Sequence, residues 1–472
     1  MIESLIYFSP LLFLLVAILI LIFSEHEENE QYSCFKFSRI MLLLSFLLAV
    51  IFYNKPRIAG LSAGTGFVLL FQTFLYIQCF ALLYLSRKWF AAMRRLAYVF
   101  CGCLFMALLF GNLLVASTNL VLTIVSLIML MVGNYILLAD SDMLKENKLG
   151  VHIYLFLIAA SGILLSIATG MFYHWCGVLD YEVLHTYIEL HKDEVQVYMA
   201  VSAIVVPFLF MLGLAPLHFC ITETLGKISL PVFTYMLLMP ITAVWGGFIH
   251  LNVNALSPLL PEFRLFYIAV ALLSVGIGAI GADSGQNIRK IFAYASVYHV
   301  GIAFLTLRRF TLNAVNSSCV YLLAYLLAMY GICTCLFGLR KKGEYLFMRG
   351  ELEGAAQKQP YLAALMTVFM FSLIGLPPFL GFLGIFSSLN YLALHHHFYQ
   401  LIYLLIMILA LGYAYMQIIK MLYSEERKAQ FDRADRSIYA ALIGNICLML
   451  ILVLFPHYLM QDMGSMLETV FP

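Results

Sequence analysis

Long apolar runs dominate this 472-residue sequence, in which 63% of the residues are hydrophobic and 11% are charged. A helix needs about 20 apolar residues to cross a bilayer, so the composition allows up to roughly 14 crossings. The pattern therefore predicts an all-α, polytopic membrane protein. It excludes a soluble enzyme and a disordered chain, and a net charge of +2 provides no basic surface for nucleic acid. The runs are continuous rather than alternating, which argues against a membrane β-barrel.

Fourteen apolar runs define a path through the membrane. They are 4–23, 38–53, 64–86, 97–113, 116–138, 150–172, 196–218, 229–250, 264–282, 289–307, 315–338, 361–394, 399–423 and 437–458. Alternate threading puts 21 of the 27 basic residues on one side and 6 on the other. Because cytoplasmic loops are enriched in Lys and Arg, we expect loops 340–358 and 424–436 to be cytoplasmic and both termini to lie outside. The expected location is a bacterial inner (plasma) membrane rather than the mitochondrial inner membrane.

The sequence gives no reason to expect a metal site or a dinucleotide site. The ten Cys lie almost entirely within apolar runs, where we expect them to pack as small apolar residues. His395, His396 and His397 end the twelfth run. We expect these three to be solvated, because adjacent side chains rarely converge on one ion. No glycine-rich fingerprint opens a helix after a strand.

Two apolar runs contain the same helix-breaking sequence. Gly-Leu-x-Pro occurs from Gly213 to Pro216 in the seventh run and from Gly375 to Pro378, with Pro377 before the last proline, in the twelfth. Proline removes a helical hydrogen bond, and such breaks persist in lipid only where protein or a water-filled cavity satisfies the freed groups. Coincidental kinks are one interpretation. The symmetric placement favours an internal repeat with broken helices 7 and 12, as in transporters.

Three motifs carry a resemblance to a known family. Leu214-Ala215-Pro216-Leu217-His218 is followed by Glu223 and by Pro231-Val232. Asn287-Ile288-Arg289-Lys290-Ile291-Phe292-Ala293-Tyr294-Ala295-Ser296-Val297-Tyr298-His299-Val300-Gly301 comes next, and Gly375-Leu376-Pro377-Pro378-Phe379-Leu380-Gly381-Phe382 is last. In this order and at these distances they resemble the antiporter-like membrane subunits of respiratory complex I, NADH:quinone oxidoreductase. The resemblance covers roughly residues 100 to 420 and is closest to the subunit N type, the homologue of mitochondrial subunit 2.

The resemblance implies a domain organisation and a set of partners. It implies N-terminal helices in 1–113, a first antiporter-like repeat in 97–250, a second, inverted repeat of five helices in 264–423, and a C-terminal helix in 424–472. Such a subunit has no redox centre or catalytic site of its own. NADH, flavin mononucleotide (FMN), iron–sulfur clusters and quinone would belong to partner subunits. Its partners would be other membrane-arm subunits and the lipid bilayer, with no nucleic acid.

The sequence departs from the family where the family handles protons. Four family charges, one Glu and three Lys, fall here on Ile128, Met211, Ile241 and Ile385. No alignment shift restores them. There is no acidic residue between Glu30 and Asp140, and no basic residue between Lys358 and Lys420. Because a proton crossing a bilayer needs ionisable groups, we expect a degenerate proton channel.

The polar groups that remain form a short list of candidates for a residual proton path: His218, Glu223, Lys290, Tyr294 and His299. Each has a structural alternative. His218 and His299 are equally compatible with satisfied histidines, Glu223 with a solvated acid, and Arg289 and Lys290 with interface anchors. Tyr294 and His299 are five residues apart and so do not share a helix face.

Three functional hypotheses follow. The first is a complex I membrane-arm subunit that has lost its own proton channel and keeps a structural or assembly role. The second is an Mrp-type cation/proton antiporter subunit, which would require an intramembrane carboxylate–lysine pair. The third is a membrane subunit of an energy-converting hydrogenase. Partners that co-purify in mild detergent would discriminate among them.

Overall fold

The computed structural model describes residues 9–23, 31–52, 64–93, 97–139, 144–425 and 431–471. The predicted outer N-terminus and residues 426–430 of the predicted cytoplasmic loop 424–436 lie outside these ranges. The described residues form nineteen α-helices. They are α1 (Ser9–Phe23), α2 (Gln31–Ile51), α3 (Gly66–Met93), α4 (Tyr98–Ala116), α5 (Leu120–Ala139), α6 (Leu144–Cys176), α7 (Tyr181–Leu190), α8 (Val195–Met211), α9 (Phe219–Leu225), α10 (Leu230–Asn254), α11 (Leu260–Asp283), α12 (Ile288–Leu307), α13 (Leu312–Gly338), α14 (Ala355–Lys358), α15 (Pro360–Ile374), α16 (Leu380–Leu394), α17 (Phe398–Leu422), α18 (Arg436–Leu454) and α19 (Pro456–Glu468).

The helices match the apolar runs of the sequence. Within the described residues, eleven helices are long and apolar enough to cross a membrane. Four shorter apolar helices, α1, α8, α15 and α16, accompany them. Every one of the predicted runs overlaps a helix. The twelfth run contains two helices separated by a break, and in the seventh run α8 ends at Met211 and the next helix begins just after the run, at Phe219. The chain is an all-α, multi-pass membrane protein.

The first compact unit comprises residues 1–212, 238–263 and 465–472. Its helix α4 packs against α1, α3 and α5, and α6 packs against α8. The later part of α10 is buried here at close range, because Gly246 faces Phe71 and Val115, and Gly247 faces Leu114. Two neutral side chains, Gln78 on α3 and Thr242 on α10, are joined by a 2.8 Å hydrogen bond.

The second compact unit comprises residues 213–237 and 264–464. Helix α13 lies at its centre and packs against α12, α15, α16 and α18, while α9 packs against α12. Helix α12 is buried along most of its length. The division into repeats 97–250 and 264–423 stays a prediction.

Three features were not anticipated from the sequence. A short hairpin joins β1 (Arg340–Lys341) to β2 (Glu344–Tyr345) through Lys342 and Gly343, both with positive φ, as tight hairpins require. Helix α7 interrupts the connection between α6 and α8. The C-terminal segment forms two helices rather than one, because Pro456 ends α18 and begins α19.

Candidate functional site

The first helix break lies where the second unit begins. Helix α8 ends at Met211, and Gly213 adopts a left-handed φ of 68°, which favours glycine because it has no Cβ. The freed N–H of Ala215 donates to Ser274 Oγ at 2.8 Å, and Ser274 donates in turn to Val270 O. A serine on α11 therefore satisfies a backbone group that lipid could not.

The second break has the same construction. Helix α15 ends at Ile374, Gly375 has a φ of 85°, and α16 begins at Leu380. The N–H of Gly381 donates to Ser372 Oγ at 3.1 Å. In both breaks the X–Pro bond before the last proline of the motif is cis. A serine hydroxyl again accepts the N–H that the interrupted helix frees.

An ion pair joins α9, which follows the first break, to α12. Asn287 caps α12, because its Oδ1 accepts from the N–H groups of Arg289 and Lys290, while its Nδ2 donates to Gly226 O at the end of α9. This cap brings α9 and α12 together and puts Lys290 Nζ 2.6 Å from Glu223 Oε1. Two of the five candidates are thus partners, and both are partly exposed.

Arg289 is not the solvated interface anchor that one interpretation of the sequence offered. Its side chain is buried, donates to Ile228 O and lies with its guanidinium carbon 3.9 Å from the centre of the Phe347 ring. The loop that carries Phe347 is tied to the start of α12, since Ile288 N–H donates to Phe347 O at 2.9 Å. Arg289 therefore holds the hairpin region against α12.

His218 and Tyr294 form a second, looser grouping. His218 immediately precedes α9 and is half-buried, and its ring centre lies 6.4 Å from that of Tyr294 on α12. The Nδ1 atom of His218 is buried without a hydrogen-bond partner. Tyr294 packs closely over Gly281 of α11. His218 thus stands beside the break with one unsatisfied ring nitrogen.

His299 occupies a separate, fully enclosed site. Its Nδ1 lies 2.8 Å from the Tyr321 hydroxyl and its Nε2 lies 3.1 Å from the Tyr415 hydroxyl. The ring also stacks on Tyr325, with centroids 5.1 Å apart. Both ring nitrogens are therefore satisfied by neutral tyrosines from α13 and α17.

A small cavity connects His299 to the second break. It is lined by His299, Tyr321, Ala324, Tyr325, Ser372, Leu373, Gly381 and Ile385, and its volume is about 10 Å³. That is close to the minimum that holds one water molecule. Ile385, one of the four positions where the resemblance implies a charge, thus lines the same cavity as His299 with an apolar side chain.

In the first unit, Met211 has neutral polar neighbours that sequence reasoning missed. Its sulfur lies 4.0 Å from Asn134 Nδ2 and 3.7 Å from the Tyr154 hydroxyl, and those two groups are 3.2 Å apart. The sequence signal for this contact was an Asn within an apolar run, because polar residues inside a membrane usually have a functional role. Ile128 is half-buried on α5 and Ile241 is buried on α10.

Comparison with known proteins places this geometry in a family. Residues 117–412, more than half of the chain, match the family described as NADH:quinone oxidoreductase/Mrp antiporter, transmembrane. The chain belongs to that family. The matched region of this NADH:quinone oxidoreductase/Mrp antiporter member contains both helix breaks and all five candidate residues.

Individual relatives are distant. NADH-quinone oxidoreductase subunit N of Beijerinckia indica subsp. indica is 24% identical over 347 residues, which covers 73% of this chain and 72% of the relative. A chain of respiratory complex I from Thermus thermophilus superposes with a TM-score of 0.79 at 21% identity, covering 96% of this chain and 98% of the other. A chain of the Mrp complex from Dietzia sp. DQ12-45-1b gives 0.83 at 14% identity, covering 100% and 98%. The fold is therefore antiporter-like.

Proposed function

We propose that this protein is a membrane-arm subunit of a proton-translocating NADH:quinone oxidoreductase and that its own proton channel is degenerate. Its role is then structural: it completes the membrane arm and supports assembly, while redox chemistry takes place in partner subunits. The relative named subunit N, which aligns with most of this chain, supports the kind of complex. We also propose that the chain crosses the membrane 14 times, contains two inverted repeats and has both termini outside.

The observation that carries the proposal is the neutral environment of Met211. Where the resemblance implies a lysine, the thioether contacts an amide and a phenol, Asn134 and Tyr154. Neither partner carries a charge at neutral pH, and a charge transfer between neighbouring sites needs groups whose protonation responds to a nearby charge. The contact is a packed, neutral substitute for an ion pair.

The site around His299 supports the same conclusion. Ile385 lines the cavity in place of the implied lysine, and the cavity has room for about one water rather than a continuous chain of waters. The Lys290–Glu223 pair is partly exposed and is not enclosed with His299. Apart from His299 itself, the described residues that line the cavity offer no ionisable group that could pass a proton from that pair to the histidine, other than neutral tyrosines.

The test is proton stoichiometry in the assembled complex. His218→Ala and His299→Ala should lower yield and thermal stability, because each removes a ring from a packed polar site. The number of protons pumped per NADH oxidised should not change. His457→Ala, at an exposed histidine, is the control for both readouts. A lower stoichiometry with assembly intact would mean that a path through these histidines still conducts.

A second candidate is a subunit of an Mrp-type complex, favoured by the full-length superposition on a chain of the Mrp complex. An energy-converting hydrogenase subunit remains the third. Purification in mild detergent separates them: quinone-reducing partners support the first proposal, further antiporter subunits the second and hydrogenase subunits the third.

A further inference from the structure

A buried arginine at one end of the second unit has unsatisfied donors. Arg308 follows the last residue of α12 and is 1% exposed. One of its guanidinium nitrogens donates to Gln400 Oε1, whereas Nε and Nη2 have no hydrogen-bond partner. A buried guanidinium without a counter-charge is costly, so buried arginines are normally paired.

The charged side chains that lower the pKa values of Arg308 and His397 are all basic. Burial and then the charges of Arg308, Arg264, Arg309 and His395 lower the pKa of His397 to about 4. Burial also lowers the pKa of Arg308 to about 10; Tyr391 opposes this shift, and Arg264 and Arg309 add to it. Among the residues that the structure describes, neither of the two ion pairs involves these arginines. Cations from α11, from the α12–α13 connection and from the α16–α17 connection therefore act on one another, and no ion pair among the described residues balances them.

Two further buried polar atoms lie in the same segments as this cluster. The Tyr391 ring centre is 5.8 Å from the Arg308 guanidinium carbon, and its hydroxyl makes no well-formed hydrogen bond. The Nε2 atom of His397 is also buried without a partner. This histidine is thus not the fully solvated residue that the sequence suggested. Several polar atoms at one end of the unit are thus left for an acceptor that no described residue supplies.

Large apolar side chains flank the cations in sequence and are exposed. Leu265 and Phe266 follow Arg264 and are 77% and 42% exposed, and Tyr399, between His397 and Gln400, is 93% exposed. Exposed aromatic residues at helix ends are typical of the membrane–water interface, where lipid headgroups meet acyl chains. At this position the headgroup of a phospholipid can reach the cations while its acyl chains cover the exposed apolar side chains.

We propose that Arg308, Arg264 and Arg309, with Tyr391 and His397, form a binding site for the phosphate group of an anionic phospholipid. Arginine matches phosphate oxygens with paired donors. Free phosphate offers the same oxygens but would leave the exposed apolar side chains uncovered. A carboxylate from a partner subunit is the rival occupant, and the apolar surroundings favour lipid.

Native mass spectrometry of the full chain in detergent tests the site. After delipidation, the wild type should bind one phosphatidylglycerol at least about tenfold more tightly than phosphatidylcholine, because the choline of phosphatidylcholine carries a positive charge that the arginines repel. Arg308→Gln should remove that preference. Arg340→Gln is the matched control, since Arg340 also lies 5.8 Å from a tyrosine ring but has Asp435 as a partner, and it should keep the preference.

The remaining outcomes are decisive. If Arg308→Gln does not fold, Arg264→Gln at the half-exposed rim should reduce phosphatidylglycerol affinity by about fivefold. Equal binding of the two lipids by the wild type, or an unchanged preference in the arginine variants, would overturn the proposal. Inorganic phosphate that binds as tightly as phosphatidylglycerol would overturn the lipid assignment. Release of a partner subunit by Arg308→Gln, without any lipid preference in the wild type, would assign the site to a protein carboxylate.

Discussion

Single polar side chains decide which broken helices this protein tolerates. Ser274 and Ser372 each accept a backbone N–H that a Gly-Leu-x-Pro break has freed. A membrane interior supplies no water for such groups, so each serine replaces a solvent molecule. The other buried polar groups near the breaks, His218 and His299, differ in this respect: His299 has two partners, and His218 has a buried nitrogen with none.

At this scale we expect Ser274→Ala to destabilise the protein by about 1–3 kcal/mol, because the buried Ala215 N–H loses its acceptor. The measurement is the thermal unfolding midpoint in detergent. Ser388→Ala is the matched control: Ser388 is also buried, and its hydroxyl donates to Gly384 O within its own helix. Equal shifts for the two variants would show that the break does not depend on the serine.

The two breaks are the elements that distinguish this bundle from a set of continuous helices. In each, a glycine with positive φ ends a helix, and the next helix begins within eight residues. A side chain would collide with an isoleucine on the following segment, Ile221 in one break and Ile385 in the other. The same local geometry therefore recurs at two distant places in the chain.

Gly375→Ala should cost about 1–2 kcal/mol from the left-handed backbone alone, and more from the contact of the new Cβ with Ile385 Cδ1. Gly375→Ala combined with Ile385→Val removes that methyl and should recover part of the loss. Gly170→Ala, within α6 and with open space around it, should be neutral or stabilising. Thermal unfolding of the wild type and the three variants separates the loss of stability due to the backbone from that due to the steric contact. Full recovery of stability in the double variant would exclude the backbone contribution.

On the scale of the whole molecule, the distribution of basic residues predicts the orientation. The cytoplasmic side is assigned 21 of the 27 Lys and Arg residues. The hairpin region, where Arg289 lies over Phe347, is predicted to be on that side. The proposed lipid site, in contrast, contains three of the six basic residues assigned to the outer side. Half of the basic residues assigned to the outer side therefore lie in one cluster, as expected if that cluster binds an anionic ligand.

A reporter in the 340–358 loop should be accessible only from the cytoplasm, and one at the C-terminus only from outside. Cysteine labelling with a membrane-impermeant reagent in intact cells, on a background without the native exposed Cys447, measures both. A cytoplasmic C-terminus would mean an odd number of crossings and would undo the predicted path. A control label in the loop before α12 should behave like that in 340–358.

The sequence alone determined the long apolar helices and the two Gly-Leu-x-Pro breaks, because both depend on local properties, whereas it did not predict α7 or the separate α19. Twenty consecutive apolar residues form a helix in lipid whatever they contact, and Gly with Pro ends a helix through its own backbone. The Glu223 and Lys290 pair was within reach as well, since both residues were candidates and only their partnership was unknown.

Only the tertiary structure decided which side chains meet. The partners of His299 lie 22 and 116 residues away, and Asn134 reaches Met211 across 77 residues. Arg308, which looks in the sequence like an ordinary loop arginine, is buried, and it interacts with Arg264 of α11 and Tyr391 of α16, both distant in the chain. Helix rotation and depth in the bundle set these contacts. They depend on packing over the whole unit rather than on the residues nearby in the chain.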